Sequence, residues 1–304
     1  MSVEKKILTA PSSDGIHTLA GVLYLPEGEP RGILHIVHGM TEYIGRYDRF
    51  MTDMAKEGYA VCGYDHLGHG QTARDDSELG FIADKRGWEL LVRDVEVFRR
   101  AVESEVGERP YFLLGHSMGS FISRLSAVTN RLPDKLIIMG TGGKNPLAAP
   151  GLFLIGVIKA FKGKKHISPF LDKMMFGDYD KSFNDDDAPG KWLTRDAEVR
   201  KKYSADKYCT FKFTASALGD LVRLLKYSNG RKWYAEMDKS LPVLLVSGES
   251  DPVGNFGKGV REVHDGLVRK GCNSTLLLYP DARHEILNDI CYPEVKKDIL
   301  EFID

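Results

Sequence analysis

Three polar residues far apart in the chain, Ser117, Asp251 and His284, have the side-chain types that acyl transfer needs. An unassisted hydroxyl is a poor nucleophile near neutral pH, so Ser117 requires a base within hydrogen-bond reach. An imidazole suits, because an ordinary pKa of about 6.5 lets it take a proton and return it. A carboxylate must in turn fix the imidazole tautomer and stabilise the imidazolium. Ser117 sits in "YFLLGHSMGS", residues 111–120, where an apolar run meets Gly-His-Ser-Met-Gly. Phe121, Ile122, Leu125 and Val128 follow at helical spacing, so a strand passes into a helix within five residues. Gly115 and Gly119 flank the hydroxyl and would let the two elements approach closely.

Asp251 lies in "ESDPVG", just past the apolar run "PVLLVSG", and His284 in "DARHEILND", just past "STLLLYP". Both are loops at the carboxyl ends of strands, where an open parallel sheet has its reactive crevice. Glu249 and Asp281 are the rival carboxylates. His264 falls inside a helical pattern and is expected to be solvated. His116 flanks the nucleophile, and its side chain is expected to point away from that of Ser117. An attacked carbonyl also needs hydrogen-bond donors aimed at its oxygen. The Met118 amide opens the helix behind Ser117 and supplies one. The loop of "GILHIVHGMTEY", where His38-Gly39 lets the backbone approach, supplies the second through the Met40 amide. Asp65, His66 and His69 in "YDHLGHGQT" invite a metal reading. No further His or Cys pair stands at ligand spacing, so turn structure at the rim is preferred and no metal is expected.

The elements that must hold these groups follow from apolar periodicity. Two strands, "EKKILTAP" and "HTLAGVLYLP", are joined by a Ser-Asp-Gly turn. Strands at "GILHIVHGM", "YAVCGY", "YFLLG", "KLIIMG", "LPVLLVSG" and "STLLLYP" then alternate with helices. The long helix "GWELLVRDVEVFRRAVESEVG" carries Trp88, Leu91, Val92, Val95, Phe98 and Val102 on one face. The alternation predicts an α/β class with a mostly parallel, eight-stranded sheet covered on both faces. It breaks between 144 and 230, which reads as helices and charged loops. The expected division is a core of residues 1–143 and 231–304 with a helical cap inserted at 144–230.

The bulk properties narrow the class. The chain has 304 residues, 42% of them apolar and 28% charged, with a formal charge of -1. Nothing in that balance favours nucleic acid as a partner. The segment "MSVEKKILTA" has no long apolar core and does not read as a secretory signal. Cys62, Cys209, Cys272 and Cys291 are scattered rather than paired, which favours free thiols and a cytoplasmic setting. No stretch reaches the roughly 18 apolar residues of a membrane span.

Taken together, "VHGMTEY", "DHLGHGQT", "GHSMGS", "SGESDPVG" and "DARHEILND" make the chain resemble the α/β-hydrolase superfamily. Within it the chain is similar to the monoacylglycerol lipase and lysophospholipase group of serine hydrolases. The motifs span residues 37–288. The resemblance implies Ser117 as nucleophile, His284 as base, Asp251 as orienter and the Met40 and Met118 amides as oxyanion donors. It also implies a helical cap after the sixth strand. Gly39, Tyr43 and His116 are the expected substrate contacts, and Tyr43 stands where many relatives carry His. The implied reaction is hydrolysis of acyl esters such as monoacylglycerols or lysophospholipids through an acyl-enzyme, with no cofactor. A peptidase, thioesterase or acyltransferase on the same triad is the alternative, as is a non-catalytic relative. A carboxylate would stand at Ser117 in a dehalogenase or epoxide hydrolase of this scaffold.

The cap segment "PGLFLIGVIKAFKGKK" is apolar nearly all round and then basic. Such a helix could bind acyl chains or rest transiently on a membrane surface. The expectation is that most of its surface packs on the core, one face lines the substrate channel, and the lysines form a solvated end.

Overall fold

The structure, a computed structural model, describes residues 2–177, 179–184 and 188–304. Its elements run β1 (Glu4–Pro11), β2 (Thr18–Leu25), β3 (Ile33–Val37), α1 (Asp48–Lys56), β4 (Ala60–Tyr64), α2 (Gly87–Val106), β5 (Tyr111–His116), α3 (Met118–Thr129) and β6 (Lys135–Met139). After these come α4 (Ala148–Lys162), α5 (Pro169–Phe176), α6 (Ala197–Ala205), α7 (Lys207–Thr210), α8 (Ala215–Ser228) and α9 (Arg231–Glu236). The chain closes with β7 (Val243–Gly248), α10 (Lys258–Arg269), β8 (Ser274–Tyr279) and α11 (Tyr292–Ile303).

All eight strands join one sheet in the order β1-β2-β4-β3-β5-β6-β7-β8. β2 runs antiparallel to both β1 and β4, and the other ladders are parallel. Every residue of β3, β4, β5 and β7 is buried, as expected of strands covered on both faces. In β3, Ile33 and Val37 enter the core cluster under α2, α3, α8 and α10, while Leu34 and Ile36 enter the one under α1 and α11. The alternation is the two-residue period of a strand, with each face meeting its own helix layer.

The path places the site. From β3 the chain crosses through α1 to β4 on one side, and from β5 through α3 to β6 on the other. The crossovers part at β3 and β5, which opens a crevice beyond their carboxyl ends. Met40 lies three residues past β3, and Ser117 immediately past β5.

The helix α4 departs from expectation. Only Ala148 and Ile155 are buried on it, while Phe153 is 77% and Phe161 84% exposed. The cause is layering: α4 packs on α8, and α8 packs on α3, so α4 is an outer layer with a single covered face. Among the described residues no helix is long and apolar enough to cross a membrane.

Candidate active site

Ser117 is held at φ 54 and ψ -119, a left-handed backbone that a side chain other than glycine's rarely adopts. Its amide donates to the Met139 carbonyl of β6 at 3.0 Å. The flanking glycines are steric necessities. A Cβ on Gly115 would lie 2.3 Å from the Gly119 carbonyl oxygen, and one on Gly119 only 2.0 Å from that of Val37. A strained, half-buried hydroxyl facing the cavity between strand and helix has the geometry of a nucleophile elbow.

His284 and Asp251 meet: Nδ1 of the imidazole lies 2.9 Å from Oδ2 of the carboxylate, and both residues are buried. An ionised carboxylate only accepts, so Nδ1 carries the proton and Nε2 keeps its lone pair, able to accept a proton. The second carboxylate oxygen takes the Val253 amide at 2.8 Å, which fixes the Asp251 rotamer. The rivals stand elsewhere. Glu249 pairs with Arg261 at 3.3 Å on the surface, Asp281 is exposed, and His264 meets the Ser274 hydroxyl at 2.9 Å.

Ser117, His284, Met40 and Met118 line one cavity of about 1230 Å³. Neither the Met40 nor the Met118 amide finds an acceptor among the described residues. The Met118 N–H belongs to the first turn of α3, where no intrahelical carbonyl is within reach. The lining also carries Phe121, Leu154, Leu221, Val222 and Leu225, an apolar wall built by α3, α4 and α8.

The three residues expected to contact substrate are placed differently. Gly39 stands off the cavity lining, and a Cβ there would lie 2.6 Å from Glu42 Oε1 and 3.0 Å from Ser117 Cβ. Tyr43 also stands off the lining, and its hydroxyl donates to Asp206 at 2.9 Å. His116 does line the cavity, but both its ring nitrogens are engaged: Nδ1 with Glu42 and Tyr47, each at 2.9 Å, and Nε2 with the His284 carbonyl at 3.3 Å.

Sequence reasoning missed the support behind these groups. Glu42 is buried and accepts from the Gly39 amide at 2.5 Å, the Tyr47 hydroxyl at 3.0 Å and Arg46 at 3.0 Å. Burial opposes its ionisation, yet His116 and Arg46 outweigh that and hold its carboxyl well below the usual range. Burial likewise disfavours a charged His116, and Glu42 reverses the sign, raising its pKa. Arg46 forks onto Glu285 with two bonds of 2.6 Å, tying the loop after β3 to the residue beside His284. From the 188–195 segment, Trp192 packs against the His284 ring at 5.1 Å, and His116 packs against the same ring at 4.8 Å. The one available signal was charge inside apolar surroundings, at Glu42 in "HGMTEY" and Glu285 in "RHEIL".

With this geometry in view, a family model for serine aminopeptidases of the S33 type matches residues 28–290. The chain belongs to this family. It is an α/β-hydrolase of the serine hydrolase kind. It is 26% identical over 281 residues to monoglyceride lipase of Rattus norvegicus, covering 92% of this chain and 83% of the relative. To monoacylglycerol lipase of Mycolicibacterium smegmatis it is 26% identical over 300 residues, covering 94% and 96%. A thermostable carboxyl esterase from Bacillus coagulans, solved in complex with glycerol, superposes with a TM-score of 0.92. That pair is 29% identical, covering 98% of this chain and 97% of the esterase.

Proposed function

We propose that this serine hydrolase cleaves acyl esters of the monoacylglycerol or lysophospholipid class through an acyl-enzyme on Ser117, His284 and Asp251. Ser117 Oγ attacks the ester carbonyl while His284 Nε2 takes its proton, and Asp251 stabilises the imidazolium. The carbonyl oxygen, now negative, is received by the Met40 and Met118 amides, each such donor being worth about 10²–10³ in rate. Collapse breaks the bond to the leaving alcohol, which takes the proton from His284. Water then repeats the sequence and releases the fatty acid. Residues 144–230 act as a cap whose α4 and α8 supply the wall for the acyl chain.

The observation that carries the reading is the His284–Asp251 bond beneath a cavity that also holds Ser117 and an apolar wall. That wall favours an acyl chain over the aminoacyl group suggested by the family's name. A peptidase of free amino termini needs a carboxylate free to bind the amine, and the carboxylates lining the cavity already accept protein donors: Glu42 four of them, Glu285 the Arg46 fork, Asp172 the Lys212 ammonium and Glu262 the Lys144 amide. The test is hydrolysis of monoacylglycerols of rising chain length beside aminoacyl p-nitroanilides, for the native protein and Ser117→Ala. Long-chain esters should be cleaved fastest, anilides hardly at all, and Ser117→Ala should lose turnover and fluorophosphonate labelling. Equal rates on acetyl and long-chain esters would remove the lipid claim.

We further propose that the cap delivers such substrates from a lipid surface. Phe153, Val157 and Phe161 form an exposed stripe at four-residue spacing on α4, with Phe170 and Met174 exposed on α5. Lys159, Lys162, Lys164 and Lys165 follow at the end of α4, the mixture that suits an anionic interface. Cosedimentation with phosphatidylserine-containing vesicles should weaken severalfold in Phe153→Ser/Phe161→Ser, and equal binding by both proteins would reject docking by this face.

A further inference from the structure

The segment "YDHLGHGQT" is absorbed by none of the chemistry above, yet Asp65, His66 and His69 are all buried. The imidazoles of His66 and His69 gather with that of His38, with His38–His66 and His38–His69 ring centroids 4.0 and 5.3 Å apart. The reason is topological. β3 and β4 are parallel neighbours, so the loops leaving their carboxyl ends run side by side. Asp65 Oδ1 accepts the Ile44 amide at 2.8 Å and Oδ2 the Gln71 amide at 2.7 Å. The His66 amide donates to His38 Nε2 at 3.0 Å, and the His66 Nε2–H donates to the His38 carbonyl at 3.1 Å. Asp65 and His66 therefore grip both ends of the 38–44 loop.

These bonds determine the His38 tautomer. A backbone amide can only donate, so the His38 Nε2 facing it carries no proton, and Nδ1 must carry one. That Nδ1–H donates to the Gly39 carbonyl at 2.8 Å. In a trans peptide the carbonyl oxygen and the next N–H point in opposite directions. Among the described residues no peptide bond is cis. Drawing the Gly39 oxygen toward the His38 ring thus turns the Met40 N–H the other way, and Met40 lines the cavity. The preceding peptide is held as well, because Glu42 accepts the Gly39 amide.

We infer that His38, braced by Asp65 and His66, is a positioning residue that orients the Gly39–Met40 peptide so that the Met40 N–H receives the developing oxyanion. The inference rests on the reading of the Met40 amide as an oxyanion donor. The buried histidines then act mechanically. They hold a dipole in place before the reaction begins, so no reorganisation is needed when charge develops. Burial pushes the pKa values of His38 and His66 down, which keeps both rings neutral in these roles.

The test compares His38→Leu, which removes the donor, with His38→Asn, whose amide nitrogen can stand where Nδ1 stood. In His38→Leu, kcat should fall by roughly 30- to 100-fold with KM changed less than about threefold, a partial loss of one donor. The inhibition constant of a trifluoromethyl ketone, whose adduct carries an oxyanion, should rise in proportion, while binding of a non-hydrolysable ether analogue stays put. His38→Asn should recover most of the loss. Equal weakening toward ketone and ether, or a folded His38→Leu with native kcat, would overturn the inference. Nitrogen-15 spectra of the unaltered protein decide independently of any variant's folding: His38 should show the Nδ1–H tautomer, and an Nε2–H form refutes it. Retained turnover in Ser117→Ala would instead bring down the underlying site, a distinguishable failure.

Discussion

Ser117 and His284, the proposed nucleophile and base, line the same cavity but are held there by opposite means. Ser117 is fixed by its own neighbours in sequence: a strand, two glycines and a helix leave one path for the chain, and the left-handed turn results. His284 is fixed from a distance. Its amide donates to the Trp192 carbonyl at 3.2 Å, the Glu285 amide to that of Leu193 at 2.7 Å, and Arg283 to that of Lys191 at 2.7 Å. The strap continues through Arg195, which meets Asp289 at 2.7 Å. One half of the proposed pair is thus a product of local geometry, and the other is a tertiary contact between the 283–289 loop and residues 191–195. The elbow cannot be loosened without breaking the sheet, whereas the base can be displaced by whatever moves the strap.

Damage should be most severe at the elbow. Gly119→Ala would put a methyl 2.0 Å from a backbone oxygen of β3, with no flexible side chain to yield. The cost should exceed about 3 kcal/mol, which for a chain of this size lowers Tm by at least about 5 °C. Fluorophosphonate labelling of Ser117 should vanish with it. Thermal unfolding and labelling of the purified variant check both, and a variant that labels normally would show that the helix can retreat from β3 at little cost.

Trp192→Ala tests the other half and should act on rate far more than on stability. The indole packs against the His284 ring at 5.1 Å, and His116 packs against it at 4.8 Å. Without it the imidazole can turn away from Ser117, and small misplacements of a reacting group cost up to about 100-fold. A fall in kcat of roughly 10- to 100-fold is expected with Tm lowered by only a few degrees, and Trp192→Phe should restore most of it. Loss of Tm on the Gly119→Ala scale, with kcat per folded molecule unchanged, would make Trp192 a packing residue only.

The same contrast explains what could be read in the sequence. The sheet, the helices of its two faces, Ser117 and the placement of Asp251 and His284 on strand ends all follow from short-range patterns: apolar periodicity, glycine spacing, loops after strands. The Glu42–His116 pair, 74 residues apart, and the Arg46–Glu285 fork, 239 apart, have no such pattern behind them. They arise because parallel strands bring their carboxyl ends together, a consequence of strand order that periodicity does not encode. The reading of α4 failed for a related reason. Apolarity tells that a helix avoids water on some face, but how many layers lie above it is decided by the rest of the chain.

A subtler difference between the histidines emerges on the acid side. Burial depresses the pKa values of His35 and His69 to about 3, with Arg99 and His38 respectively adding to it. Below pH 6.5 the unfolded chain takes up protons that these folded rings refuse, so stability falls with pH by about 1.4 kcal/mol per unit for each such ring. The loss begins at the unfolded value near 6.5 and continues down to the folded one. His116 behaves oppositely. Its pKa is raised by Glu42, so its contribution is complete below 6.5 and is lost as pH rises through its folded value. His69 Nδ1–H donates to the Leu67 carbonyl at 3.0 Å, a bond that an asparagine amide can reproduce without titrating. His69→Asn should therefore lose about 2 kcal/mol less than the native protein between pH 7 and pH 5, measured by urea unfolding at both values. An unchanged difference between the two pH values would mean that folded His69 takes up its proton as readily as the unfolded chain does, and that the buried imidazoles beside the Gly39–Met40 peptide are not all held neutral.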